Sequence, residues 1–129
     1  MADLGNKDEL EKALLVGIHG APELRRAERR RFLGFFRERV IEAVTFSQLK
    51  GKGLQAMSKA VLDPRAVELV IHQDARQDAM PLMIQARKKG LDFTIVSNPD
   101  FIGKVAVVLV AADAVDIPRL LAEEEKAGN

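Results

Sequence analysis

Arg25-Arg26-Ala27-Glu28-Arg29-Arg30-Arg31-Phe32-Leu33-Gly34-Phe35-Phe36-Arg37-Glu38-Arg39-Val40-Ile41-Glu42-Ala43-Val44-Thr45 is the stretch whose reading decides the fold. With Phe46, which follows directly, it holds four of the six Phe in the chain. Its first half has helical composition. Gly34 stops that helix at Leu33 as a left-handed C′ residue, and the preceding arginines sit at the negative end of the dipole. Beyond Gly34, Phe36, Val40 and Val44 alternate with charged residues in a run rich in β-branched side chains, which predicts a strand from about Phe35 to Val44. A continued helix is the competing reading, because Leu33, Phe36, Val40 and Val44 also fit helical spacing. The strand accounts for Gly34 and for what comes next.

Downstream, Thr45-Phe46-Ser47-Gln48 has capping-box spacing and opens a helix through Leu49, Leu54, Met57, Ala60 and Val61. Gly51 and Gly53 weaken its first half, and Asp63-Pro64 ends it. Ala66 to His72 is a short apolar run of buried-strand type. A helix follows with Asp78 as its expected N-cap, so that Pro81 falls in the first turn, where its missing N–H was unpaired anyway. It ends at Arg87-Lys88-Lys89-Gly90, with cations in the last turn and Gly at C′. Leu91 to Val96 is the next strand, which makes a βαβ unit with two parallel strands. Ser97 to Asp100 is a turn. Lys104 to Ala111 is the most apolar run and the expected central strand, antiparallel because Phe101-Ile102-Gly103 is too short for a helical crossover. Asp116 is the expected cap of a last helix from Ile117 to about Lys126, whose Glu123-Glu124-Glu125 run reads as a solvated face.

Upstream, Asp8 to Val16 reads as a short amphipathic helix ended by Gly17, and Gly17 to Leu24 as an ordered loop containing His19. The fold class is α/β (α+β). It is a single domain over 1–129 with a mixed four-stranded sheet in the order β-α-β-α-β-β, an N-terminal helix and loop over 1–21, and a C-terminal helix or tail over 117–129.

Composition narrows the chemistry. At 129 residues the chain can bury a core without staples. The absence of cysteine removes thiol nucleophiles and thiolate metal sites. No apolar run approaches a membrane span and no signal-peptide pattern opens the chain, so the expected location is cytoplasmic and no membrane partner is expected. Net charge is +1, but residues 22–39 carry seven Arg against three Glu, so the positive charge is local.

The blocks Gly17-Ile18-His19-Gly20-x-Pro22-x-Leu24, Glu28-Arg29-Arg30-x-Phe32-Leu33-Gly34-x-Phe36-Arg37-Glu38-Arg39-Val40 and Phe93-Thr94-Ile95-Val96-x-Asn98 resemble the YueI family of uncharacterised bacterial cytoplasmic proteins. The likeness runs from about residue 15 to Asp116. It implies a small α/β fold of the chorismate-mutase-like type and no assigned activity. A more distant likeness is to the kink-turn-binding ribosomal proteins, which read RNA with a Gly-x-Asn-Glu element at a helix start. The matching stretch, Gly51-Lys52-Gly53-Leu54-Gln55-Ala56, lacks Asn-Glu, so only the architecture carries over.

Two places concentrate polar chemistry. Arg29, Arg30, Arg37 and Arg39 can hold phosphate or carboxylate groups in bidentate fashion, with Phe35 available for stacking. The alternative is a solvated helix face partnered by Glu28 and Glu38, followed by a charged edge strand. At the carboxyl ends of the parallel strands, His72, Gln73 and Asp74 are expected beside Ser97 and Asn98, with Lys104 at the same rim. There His72 with Asp74 is an acid/base candidate and Asn98 and Lys104 are anion-binding candidates, against the simpler reading of polar turn residues. No nucleophile elbow, phosphate loop, metal cluster or paired-carboxylate signature is present, so no catalytic residue, metal or cofactor is assigned.

The functional expectation is therefore a non-enzymatic binding or interaction domain. It self-associates as a homo-oligomer through an edge strand and the Phe-rich segment, because Phe35, Ile41 and Phe46 cannot share one strand face with Phe36, Val40 and Val44. The alternatives are an RNA-binding accessory protein using Arg25 to Arg39, and a binder of, or enzyme for, small anionic ligands near His72. Against RNA stand a pI of about 8.1 and the lack of Tyr and Trp.

Overall fold

Four runs of aliphatic and β-branched residues pair into one sheet in the computed structural model, which describes residues 22–97 and 103–125. The expected helix over 8–16, residues 17–21 of the loop holding His19, and Asn98 to Asp100 of the turn lie outside the described residues, and the rest of that loop, 22–24, is helical instead. The strands are β1 (Val40–Thr45), β2 (Ala66–His72), β3 (Asp92–Val96) and β4 (Val105–Ala111), in the spatial order β1-β4-β2-β3. The most apolar run is central as expected, and every residue of β4 is buried. It pairs antiparallel with both β1 and β2, while β2 and β3 are parallel, as the βαβ reading required.

The first helix, α1 (Pro22–Arg31), stops two residues earlier than its composition suggests. Leu33, at φ 55, takes the left-handed position expected of Gly34, which follows at φ 101. The Gly34 N–H donates to the Arg29 carbonyl at 2.6 Å, the six-to-one bond that closes such a helix end. A left-handed Leu costs roughly 1 kcal/mol. Burial of its side chain, 3 % exposed beside Phe32, offsets that cost.

The strand expected from Phe35 starts only at Val40. Phe36 leads into a 3-10 turn over Arg37–Arg39 instead. The register jumps from Val40↔Val110 to Glu42↔Leu109, leaving Ile41 as an extra residue on β1. Such a bulge turns the side chains that follow it to the opposite face. Val40 and Ala43 accordingly belong to one core cluster and Ile41 and Val44 to the other, so Val40 and Val44 do not share the face that strict alternation assigned them. The helical alternative for this stretch is excluded.

The capping box forms as read: Gln48 N donates to Thr45 Oγ1 at 3.1 Å and Thr45 N to Gln48 Oε1 at 2.9 Å. It opens a single turn, α2 (Phe46–Leu49), and α3 (Lys52–Ala60) starts afresh after Gly51. Gly53 is required there, because a Cβ would stand 2.5 Å from the Gln48 carbonyl oxygen. The next helix, α4 (Met80–Lys89), starts after Ala79 with no side-chain cap, so Asp78 is exposed and not the N-cap. Pro81 does lie in the first turn, and Gly90 closes the helix at φ 81.

Helices α2, α3 and α4 cover one sheet face over Val44, Leu49, Met57, Leu69, Ile71, Leu82 and Leu109. The other face packs Val40, Val70, Val108 and Val110 under Phe32, Leu33, Leu120 and Ala122. The expected C-terminal helix capped by Asp116 does not form. Asp116 is itself left-handed at φ 49, and Val115 and Asp116 donate their N–H groups to the Glu38 carbonyl at 2.7 and 3.0 Å. The chain stays irregular to Leu120 and then makes a 3-10 turn over Leu121–Glu125.

Candidate functional site

The arginines that stand out in the sequence are drawn into the structure's own contacts. Arg37 donates Nε and Nη2 to the two carboxylate oxygens of Glu123 at 2.7 and 2.9 Å, and Nη2 also to the Ile117 carbonyl at 2.8 Å. Glu123 is therefore a partner and not a solvated residue, and the guanidinium hydrogen-bonded to it holds its carboxyl below the usual range. Arg39 donates to the Ala111 carbonyl at 2.9 Å and lies over the Phe35 ring at 5.3 Å, so that ring stacks on the protein's own cation. Arg29 lies over Phe36 at 5.6 Å. Arg30 is half-buried, while Arg26, Arg29 and Arg31 are exposed. Of the Phe-rich segment expected to serve association, Phe32 is in the core, and Phe35 and Phe46 are half-buried, packing against the clusters on opposite sheet faces.

At the sheet rim, His72 ends β2 and Lys104 precedes β4, and the register Ile71↔Val107 puts both at one end of the sheet. His72 Nδ1 accepts the Asp74 N–H at 3.0 Å, which places the proton of the neutral ring on Nε2. The Asp74 carboxylate, 79 % exposed, is 3.9 Å from the same nitrogen. The Phe46 ring meets the imidazole edge-on at 5.3 Å. With Nδ1 occupied by a backbone donor, His72 works as the cap of a 3-10 turn. Lys104 is exposed, and its carbonyl accepts the Phe46 N–H at 3.0 Å. Among the described residues no group of His, Asp or Glu could hold a metal ion, and no helix is long and apolar enough to cross a membrane.

A third place was not singled out by the sequence. Strand β3 is the last in the sheet, and among the described residues no strand pairs with its outer side. Its register with β2 runs unbroken from Glu68↔Asp92 to His72↔Val96. Beside it opens a groove of about 600 Å³ between α4 and the strand, floored by Phe93 and Ile95 and walled by Met80, Met83 and Ile84. Three of these stay on the surface: Ile84 is 51 % exposed, Met80 46 % and Ile95 38 %. Arg76, Arg87 and Lys88 complete the rim. The signal available in the sequence was that α4 carries apolar residues on more than one face. Leu82, Met83 and Ala86 satisfy the core, which leaves Met80 and Ile84 without an internal role.

Comparison with known proteins agrees with this architecture. The chain is 31 % identical over 113 residues to a protein of Bacillus subtilis (strain 168) described as uncharacterized protein YueI, covering 86 % of each. The crystal structure of the YueI protein from Bacillus subtilis superposes with a TM-score of 0.69 at 28 % identity, over 88 % of this chain and 90 % of that one. Residues 7–120 match the family model described as protein of unknown function DUF1694. The chain belongs to the DUF1694 family, together with YueI.

Proposed function

We propose that the protein is a non-enzymatic interaction domain that self-associates through the outer edge of β3. The observation that carries this reading is the unblunted edge: five residues in regular register, with no bulge, proline or inward charge, beside exposed Ile95, Ile84 and Met80. Natural sheets normally guard such an edge, and an unguarded one is a template for strand addition. Asp92-Phe93-Thr94-Ile95-Val96 is also suited to pairing with its own copy. An antiparallel two-fold centred on Thr94 sets Phe93 against Ile95 of the second copy and Thr94 against Thr94, pair types that favour sheets.

Light scattering on a size-exclusion column checks the reading. A concentration-dependent dimer is expected, reduced to monomer by Ile95→Lys, and a strict monomer at high concentration overturns it. Because the chain has no cysteine, Thr94→Cys adds a second readout. A dimer crosslinked through that residue under mild oxidation is expected from the two-fold pairing. No observation lifts the RNA or small-anion readings above this one, since Arg37 and Arg39 are engaged internally and His72 caps a turn.

A further inference from the structure

The groove beside β3 has a charge pattern that pairing with a second copy leaves unused. Arg76 follows the turn after β2 and so lies at the carboxyl end of the parallel pair, whereas Arg87 and Lys88 are in the last turn of α4, close to where β3 begins. The groove thus has cations at both ends and an apolar middle of Phe93, Ile95, Met80 and Ile84. None of the three cationic side chains has a hydrogen-bond or ion-pair partner among the described residues. On the opposite face of the strand the charges are acidic, with Glu68 accepting from the Thr94 hydroxyl and Asp92 exposed.

We infer that the edge and groove accept an extended acidic peptide segment, added as a strand to β3, whose groove-facing residues read carboxylate, apolar, apolar, carboxylate at every second position. Strand addition satisfies the open backbone edge, and residues two apart fall on one face, so the two apolar side chains cover Phe93 and Ile95. The next groove-facing positions on either side reach the ends where Arg76 and the Arg87–Lys88 pair stand, and carboxylates there meet these cations. A second copy of β3 offers Phe93 and Ile95 but has Leu91 and Ser97 at those flanking positions, so it leaves the cations unmatched. This inference rests on the reading of β3 as a contact edge and is separable from self-association.

The probe is a fluorescein-labelled heptapeptide, Glu-Thr-Val-Thr-Ile-Thr-Glu, compared with its analogue carrying Gln at both ends, by fluorescence anisotropy at low salt. The Glu peptide is expected to bind about five- to tenfold more tightly than the Gln peptide, with the difference shrinking as salt rises. Arg87→Glu with Lys88→Glu, both on exposed positions, is expected to erase the difference while circular dichroism and melting temperature hold. Equal affinity for the two peptides, or no binding of either by a folded protein, overturns the inference even if light scattering finds a dimer. Preferential Glu binding by a strict monomer upholds the inference and overturns self-association alone.

Discussion

At one border of the sheet, β1 carries a bulge at Ile41 and a covering segment; at the other, β3 keeps an unbroken register and no segment covers it among the described residues. The covering segment can be traced by its side chains. Leu120 and Ala122 belong to the core on one sheet face while Leu121, between them, packs against the core on the other. A chain can do this only by passing around the outer side of β1. As it passes, the Leu121 N–H donates to Glu42 Oε1 at 2.8 Å, and the Leu121 carbonyl accepts from Gln48 Nε2 at 2.8 Å. Side chains thereby take the place a neighbouring strand would fill. Glu42 Oε1 also accepts the Ala43 N–H at 3.0 Å, which occupies a backbone donor on β1 itself. Among the described residues the same sheet thus spends three devices on one edge and none on the other. That contrast, more than any single residue, is what supports the proposal that β3 is a contact edge.

The largest effect should come from removing the anchor of the closed edge. Leu120 is fully buried, and Leu120→Ala is expected to cost about 2–5 kcal/mol. Urea unfolding with an unchanged m-value measures that loss. If the segment guards β1, the variant should also gain aggregation that Ile95→Lys does not suppress.

Next in size is the Arg37–Glu123 pair, whose side chains are 19 % and 27 % exposed. Arg37→Ala is expected to cost about 1–3 kcal/mol, because a charge-assisted, two-pronged contact is lost and the Ile117 carbonyl loses its donor. The pair also makes the closed edge pH-dependent. The Glu123 carboxyl titrates lower folded than unfolded, so its contribution is complete above the ordinary Glu value of roughly 4.3 and disappears as pH falls through the lowered one. Hydrogen exchange at the Leu121 amide should speed up over that acidic window while exchange in β2 and β4 does not. Glu123→Gln should flatten the dependence.

Much of this contrast was hidden from the sequence for an identifiable reason. The capping box at Thr45 to Gln48, the buried run at Ala66 to His72, the parallel partner at Phe93 to Val96 and the central strand at Val105 to Ala111 are local patterns, and each was legible. What escaped reading depends on distant partners. Glu123-Glu124-Glu125 looks solvated until Arg37, 86 positions earlier, is placed beside Glu123. Asp116 looks like a helix cap until Glu38 takes its N–H. The bulge at Ile41 reveals itself only against Val110 and Leu109. The groove was missed for the opposite reason: Met80, Ile84 and Ile95 are ordinary apolar residues, conspicuous only because the sheet ends beside them. Of the arginines that are conspicuous in the sequence, Arg37 and Arg39 are absorbed by Glu123, Ala111 and Phe35, and Arg29, though exposed, lies over Phe36.

A smaller stability effect, about 1 kcal/mol or less, is expected for Ile95→Lys, since the side chain is 38 % exposed and an edge position tolerates a charge. Its oligomerisation readout should nonetheless move by more than its melting temperature. That dissociation of the two measurements separates a contact residue from a core residue.

The smallest effect is assigned to the exposed arginines of α1. Arg29 and Arg31 lie over the Phe36 and Phe32 rings, and an exposed cation–π contact contributes about 0.5–1 kcal/mol. Arg29→Ala with Arg31→Ala should lower the melting temperature slightly and leave self-association where it was. Binding of a structured RNA at low salt, lost in this double variant and retained in Ile95→Lys, would instead favour the α1 arginines as the working surface. The two variants carry opposite changes in charge, one on β3 and the other on α1. A purely electrostatic, site-blind interaction would strengthen in Ile95→Lys and weaken in the arginine double variant, so measuring both tells a located RNA site from a general attraction between charges.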